Sequence, residues 1–241
     1  LSLPFFSQQI GSFTWLYLKI DYKEYEKKIQ KLLDNHISSD EIMKITELVN
    51  IFDKDKFEEE VSKLKTPSSR ADTIASRTIA VCRQKMDEDP VFYAKFSKLL
   101  EVAIEAHKNQ RISDVEYLNN VNEAMESVRN RTADDIPVKI KHLDVARAFY
   151  GITLQVLNRN PVDNLDLKDI SADAAIRIDE IIQRNLVVDW FQKDDVKNNM
   201  RNQIDDYLYS VKGRYNIPIS NDDIDLIIEQ SLPVAKIRYN R

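Results

Sequence analysis

The segment 186–218 carries the strongest helical pattern in this chain of 241 residues. Apolar side chains recur there every three or four residues and so share one face of a helix: Val196, Met200, Ile204, Leu208 and Val211. Asp194 is placed to act as the N-cap, and Gly213 is placed to take the left-handed conformation just after the last turn. Pro218 then prevents the helix from resuming. The pattern predicts a helix of about five turns, whose apolar stripe must face a core.

Large aromatic residues stand at both ends of this predicted helix. Trp190 follows the apolar run 186–188, and Tyr215 lies just beyond the C-terminal glycine. We expect both to be packing anchors, with the indole N–H of Trp190 donating to a nearby acceptor. The alternative is that Trp190 is an exposed docking residue. The stretch 186–189 is either a buried connector or a short strand, because periodicity cannot separate the two in so short a segment.

Capped helical patterns fill the rest of the chain. They begin at residues typical of helix N-termini or of the turns before them: Asp21, Ser38, Asp53, Thr66, Asp89, Ser113, Pro137, Ser171 and Ser220. The short turn KNQRIS joins two of them into an antiparallel helical hairpin. Pro233 is expected to interrupt the last helix. The sequence therefore predicts an all-α fold, a multi-helix array of antiparallel helices with at most one short strand near 186–189.

The turn-forming residues 66–69, with the sequence TPSS, are the best candidate for a domain boundary. Residues 66–241 are predicted to form a C-terminal helical domain, and residues 1–65 to be linker helices. The chain begins without Met, and its first twenty residues lack the basic start and small-residue cleavage site of a secretory signal. We therefore expect the chain to be a fragment of a longer protein.

Composition limits the class of protein and its partners. A hydrophobic fraction of 43% with 31% charged residues is typical of soluble globular proteins, and no apolar run approaches the length of a membrane span. The net charge of −5 means that the surface as a whole does not indicate nucleic-acid binding. A single cysteine, Cys82, excludes an internal disulfide and a CxxC motif. We expect a cytoplasmic protein that makes no membrane contact.

The three glycines, Gly11, Gly151 and Gly213, exclude two classes of nucleotide site. A phosphate-binding GxxxxGK[ST] loop and a GxGxxG dinucleotide turn both need clustered glycines, because the backbone must approach the phosphates closely. No such cluster exists in the sequence. Nucleotide chemistry is therefore not expected in this chain.

Three other patterns resemble functional sites without meeting their requirements. The acidic run 53–60 lacks the central glycine of a calcium loop, so we interpret it as a solvated helix face. The loop 161–168 resembles a metal-nuclease motif, but its acidic residues are too close together to lie on neighbouring strands. His107 has no HxxxH partner, and we interpret it as a satisfied structural histidine. We expect no catalytic, cofactor-binding or metal-binding residue in the chain.

The most basic region of the sequence is the segment 129–147. Its candidates for contact with phosphate or an acidic partner are Arg129, Arg131, Lys139, Lys141 and Arg147. No aromatic residues alternate with them in the manner of single-strand binders, so the nucleic-acid signal is weak. The segment nevertheless provides an alternative function, an accessory helical domain that contacts DNA.

The sequence resembles the C-terminal helical region of the restriction (R) subunit of type I restriction-modification enzymes. The resemblance covers about residues 67–238. It depends on DPVFYAKFSKLLE, on the turn NQRIS followed by EYL, and on the series VDW, MRNQIDDYL and YNIP. Residues 1–65 match less clearly, and the resemblance places them as the link that follows a motor domain outside this sequence.

The resemblance implies a parent subunit with a Mg²⁺-dependent nuclease and an ATP-driven translocase of double-stranded DNA. That subunit would work with methyltransferase and specificity subunits, so ATP and Mg²⁺ belong to the parent and not to this fragment. For the fragment, the resemblance implies docking of the motor subunit onto the methyltransferase core. The alternatives are DNA contact through residues 129–147 and a purely structural brace.

Overall fold

The computed structural model describes residues 50–132 and 136–239, and 76% of these residues are helical. Eight α-helices run through this part of the chain: α1 (Lys54–Ser62), α2 (Pro67–Gln84), α3 (Pro90–Lys108), α4 (Asp114–Asn130), α5 (Asp144–Leu157), α6 (Leu167–Arg184), α7 (Asp194–Tyr215) and α8 (Asn221–Tyr239). Single 3-10 turns occupy Val138–Ile140 and Trp190–Gln192. The described residues contain no strand, and residues 186–189 are a connector that ends in a turn. The predicted all-α class is confirmed.

Side-chain caps begin several of these helices where the sequence predicts them. The Asp89 carboxylate accepts from the Phe92 N–H at 3.2 Å, and the Ser113 hydroxyl accepts from the Glu116 N–H at 3.2 Å. At the start of α8 the cap is reciprocal. The Ser220 hydroxyl accepts from the Asp223 N–H at 3.1 Å, while the Asp223 carboxylate accepts from the Ser220 N–H at 3.0 Å. Each cap satisfies N–H groups that the first helical turn leaves unpaired.

The ends of α7 differ from the prediction. Asp194 is not the N-cap, because Lys193 occupies that position without a side-chain bond, and Asp194 instead pairs with Lys197 at 2.8 Å in the first turn. Gly213 lies inside the helix, and the left-handed C-terminal residue is Asn216, with φ of 52°. Asparagine tolerates this conformation better than most residues, so the helix gains a further turn before Pro218.

Other element boundaries also differ. Pro137 does not begin a long helix, because a 3-10 turn follows it and α5 starts only at Asp144. Helix α6 starts at Leu167 rather than at Ser171, with Asp166 as its cap, so the loop predicted over residues 158–168 is shorter. Helix α8 continues through Pro233. Proline removes one backbone hydrogen bond, but the burial of Leu232, Val234 and Ala235 around it holds the helix together.

The buried apolar residues form two hydrophobic clusters. The N-terminal cluster joins Ile51 with helices α1 to α4, and the C-terminal cluster joins the Val138–Ile140 turn, Trp190 and helices α5 to α8. In the first, α3 and α4 are joined by five residues and pack on each other as the predicted hairpin. In the second, α5 packs on α6 and α8, and α7 also packs on α6 and α8. Apolar burial of this kind is the main stabilising term of the fold.

The domain boundary predicted at residue 65 stays a prediction. Phe57 of α1 is buried in the same cluster as Ile74 of α2. The helices predicted over residues 21–36 and 38–49 lie outside the described residues, which start at Asn50.

Helices α3 and α5 connect the two clusters through a close backbone approach. A Cβ built on Gly151 of α5 would lie 3.0 Å from the Cβ of Val91 on α3. Val91 itself packs against the C-terminal cluster. The absence of a side chain at Gly151 therefore lets the two helices approach each other at this point.

We expect Gly151→Val to destabilise the protein by roughly 1 to 3 kcal/mol, because its extra methyl groups would overpack the contact with Val91. Gly213→Val is the matched control, since a Cβ on this helical glycine meets no atom within 4 Å. It should unfold at the wild-type denaturant concentration or slightly above. Equal urea midpoints for the two variants would contradict the close approach.

Candidate functional site

The five basic residues of segment 129–147 do not form one exposed patch. Arg129 ends α4, Arg131 follows it, Lys139 lies in the 3-10 turn, Lys141 follows that turn and Arg147 lies in α5. Four of the five make ion pairs within the chain. Their partners and burial show what each side chain does in the fold.

Arg129 of α4 forms a hydrogen bond to the first described residues of the chain. Its Nε donates to the Ile51 carbonyl at 2.5 Å, and its Nη1 donates to Glu126 at 2.6 Å. The guanidinium also lies 5.5 Å from the ring centroid of Phe57, within the range of a cation–π contact. Only 7% of the side chain is exposed. Arg129 is therefore part of the N-terminal cluster.

Arg131 bridges the two halves of the structure. It is the C-terminal cap of α4 with φ of 46°, a left-handed conformation that is costly for a residue with a Cβ. Its Nη2 donates to Asp89 at 2.6 Å, and its Nη1 donates to Asp144 at 2.5 Å. Because Asp89 caps α3 and Asp144 begins α5, a single guanidinium connects three helix ends.

Asp144 also accepts hydrogen bonds from two further arginines. Arg147 donates to it at 3.0 Å and also to the Arg131 carbonyl at 2.9 Å. Arg238, near the end of α8, donates to Asp144 and also to Glu88 at 3.0 Å. We call Asp89, Arg131, Asp144, Arg147 and Arg238 the junction cluster. It lies where the ends of α3, α4, α5 and α8 meet, between the two hydrophobic clusters.

Burial and charge act on the two carboxylates of the junction cluster in opposite ways. Burial raises the pKa of Asp89, and the neighbouring Arg131 only partly offsets this effect. Burial would also raise the pKa of Asp144, but Arg131, Arg147 and Arg238 outweigh it and hold that pKa below its ordinary value. The cluster has the charge and geometry of a structural brace, because each charge faces an opposite one.

Lys139 has a second set of acidic partners. Its Nζ lies 2.7 Å from Asp169 and 2.5 Å from Asp173, both on α6. Burial lowers the pKa of Lys139, but the two carboxylates outweigh it and raise the pKa overall. Lys141 is exposed and makes no ion pair with any described residue. Contact of these residues with phosphate or an acidic partner stays a prediction.

Trp190 and Tyr215 both contribute to the C-terminal cluster. Trp190 is 2% exposed, and its ring meets Phe191 edge-on with centroids 5.3 Å apart. The prediction of an acceptor for its indole N–H is wrong, because Nε1 has no hydrogen-bond partner among the described residues. Tyr215 is partly buried against the same cluster. Their energetic role as packing anchors stays a prediction.

The side chains that could have suggested nucleophilic or general-base chemistry lie in structural positions. His107 Nε2 lies 2.7 Å from Asp114, and its ring stacks on Tyr117 with centroids 4.4 Å apart. Cys82 is fully buried, and burial raises the pKa of its thiol to about 11. The thiolate, which is the reactive form, is therefore strongly disfavoured at neutral pH. In the loop 161–168, Asp166 caps α6.

The described residues lack two further features. No three His, Cys, Asp or Glu side chains come together as a group that could hold a metal ion. Within the same residues, no helix is long and apolar enough to cross a membrane.

Large apolar side chains remain exposed outside the two clusters. They are Phe52, Leu99, Val102, Val115, Val138, Leu143, Val187, Val188, Tyr209 and Ile237. Tyr209 also borders a groove at the C-terminal end of α7, which the sequence reasoning missed. Its position off the apolar stripe of α7 is the signal that could have indicated an exposed aromatic residue.

One comparison identifies a family for this chain. The family described as "Type I restriction enzyme HindI endonuclease subunit-like, C-terminal" matches residues 15–236. Neither a curated protein nor a solved structure matches the chain.

We expect Asp144→Asn to lower the free energy of unfolding at pH 7 by roughly 1 kcal/mol, a small value because the wild-type side chain is 55% exposed. The depressed pKa of Asp144 means that its contribution is present above the unfolded-state pKa and is lost as pH falls through the lower folded-state pKa. The variant should therefore lose less stability than the wild type on acidification. Urea unfolding between about pH 7 and pH 3 measures this difference.

The control for this experiment is Asp163→Asn, which removes an exposed carboxylate without an ion pair in the described structure. It should keep the wild-type dependence on pH. Asp89 is present in both proteins and shares Arg131 with Asp144, so the comparison includes any coupling between the two carboxylates. Parallel loss of stability in wild type and Asp144→Asn would show that Asp144 adds nothing.

We expect Trp190→Ala to destabilise the protein by roughly 3 to 5 kcal/mol, because it empties a fully buried aromatic site. Tyr209→Ala is the control, since that ring is exposed at the surface of the neighbouring helix. Thermal unfolding of both variants measures the difference. A wild-type melting curve for Trp190→Ala, with lost affinity for a partner, would favour the docking alternative.

Proposed function

Because the chain belongs to the family of C-terminal regions of type I restriction enzyme HindI endonuclease subunit-like proteins, we propose that it is a helical assembly module. It docks the ATP-dependent subunit that translocates and cleaves DNA onto the methyltransferase core. Its direct partners are the methyltransferase and specificity subunits, and it meets double-stranded DNA only through the whole complex. ATP and Mg²⁺ serve the parent subunit, and the complex works in the cytoplasm.

The exposed apolar side chains carry this proposal. Val138 is 84% exposed, Val188 82%, Tyr209 62% and Val115 61%, although each could have been polar without loss to either cluster. Single exposed apolar residues are common, but apolar and aromatic side chains also form the centres of protein interfaces. A protein-docking role explains why these apolar side chains are exposed, whereas a purely structural brace does not.

The charged residues support docking in a different way. Charges of the junction cluster and Lys139 are satisfied within the chain, so they hold the helices in fixed positions. A rigid module loses little conformational entropy when it binds, which favours association. The internal pairs also weaken the alternative of DNA contact through 129–147, because Lys141 is the one residue of that set without an ion pair to a described residue.

We expect the chain to bind the purified methyltransferase core, and the affinity to fall less than about tenfold between roughly 50 and 200 mM salt. Phosphate contacts would release counterions, so binding to a DNA duplex through six or more of them should fall by at least about 10³-fold over that range. Titration of both partners at several salt concentrations separates the two functions. Failure to bind the core at any concentration tested would refute docking, whereas steep salt dependence with DNA would favour the alternative.

A further inference from the structure

A groove of about 520 Å³ lies beside the C-terminal end of α7. It is lined by Val162, Tyr209, Lys212, Gly213, Asn216, Ile217 and Pro218. We call it the Tyr209 groove. Tyr209 is 62% exposed, and the Lys212 ammonium lies 5.9 Å from its ring centroid. The groove is large enough for one or two side chains and is lined mainly by apolar atoms, as a site for a protein side chain requires.

Gly213 forms part of this groove without a structural need for glycine. It lies within α7 and does not have positive φ, and a Cβ there would meet no atom within 4 Å. Glycine in a helix interior costs about 1 kcal/mol relative to alanine. The folded chain would therefore be at least as stable with a side chain at this position. What the glycine does provide is open space in the groove wall.

Exposed carboxylates lie next to the groove. Arg201 of α7 pairs with Glu229 of α8, and a five-residue loop joins these two helices into an antiparallel hairpin. Asp205 and Asp225 therefore lie one turn closer to the loop, on the same side as the groove. Asp206 and Asp222 are also exposed, and none of these four aspartates makes an ion pair with a described residue.

With the ion pairs Arg201–Glu229 and Arg159–Asp223 included, six carboxylates outnumber four cations around the hairpin of α7 and α8. The cations are Arg159, Arg201, Lys212 and Arg214. A negative surface repels the phosphates of DNA and attracts Lys and Arg side chains of a protein. An apolar groove beside it adds a site for an uncharged anchor residue. The groove and the charges together favour a basic protein surface that carries an apolar anchor residue.

We propose that the Tyr209 groove is where the methyltransferase core docks, and that the docked surface is basic and inserts one apolar side chain into the groove. This inference rests on the proposed docking function. The apolar anchor limits the rate of dissociation, since leaving the groove exposes it to water. The opposed charges increase the rate of association.

The test measures association and dissociation rates of the full chain with the purified methyltransferase core. Gly213→Leu fills the groove from its wall and should leave the melting temperature unchanged or higher. We expect it to weaken binding by at least about tenfold, through faster dissociation. The double variant Asp205→Lys, Asp225→Lys should weaken binding about tenfold at low salt, through slower association.

Two controls are matched to these variants. Asn120→Leu adds an exposed leucine on α4, outside the groove, and Asp87→Lys reverses an exposed carboxylate outside the acidic surface. Both should bind as the wild type does. Wild-type rates for Gly213→Leu would overturn the inference and leave docking intact.

Two other outcomes are informative. If the wild-type chain fails to bind the core, the inference and the proposed function both fail. Binding of a DNA duplex that Gly213→Leu abolishes would show a nucleic-acid occupant instead, and would overturn the assignment of a basic protein surface.

Discussion

The bridge that Arg131 makes between Asp89 and Asp144 is the contact on which the arrangement of this module depends. Apolar residues form two clusters, and Val91 of α3 packs across the junction onto the C-terminal cluster. Ion pairs are directional where apolar contacts are not, because a guanidinium must meet each carboxylate along its N–H bonds. The arginines of the junction cluster therefore select one orientation of the helix ends, and Gly151 allows α3 and α5 to approach in it.

Such a brace contributes more to geometry than to net stability. Removing charges from water is costly, and the attraction between them returns little more than that cost when the site is partly buried. The junction cluster reduces the cost by leaving Asp144 half exposed while burying Asp89 and most of Arg238. The bulk of the folding free energy comes from the two hydrophobic clusters, whose helices present continuous apolar stripes to each other.

The same division between interior and surface supports the functional proposal. Basic residues that could have served DNA are used to join helices. The outer face of α7 keeps an exposed tyrosine, an open glycine and carboxylates that form no ion pair with a described residue. A module built in this way presents a fixed surface and has no need to reorganise on binding. This is consistent with the assembly role that we propose for this C-terminal region of a type I restriction enzyme subunit.

The sequence by itself determined the helices, their main caps and the buried stripe of α7, because periodicity and capping depend on neighbours within four residues. It also identified the family from continuous motifs. Only the tertiary structure decided that Arg129 and Arg131 are internal, that Trp190 has no acceptor among the described residues and that α8 continues through Pro233. The partners of these residues lie tens of positions away or depend on packing, and no local pattern encodes them. The groove beside Tyr209 was missed for the same reason, since residues 162 and 209 meet only in the folded chain.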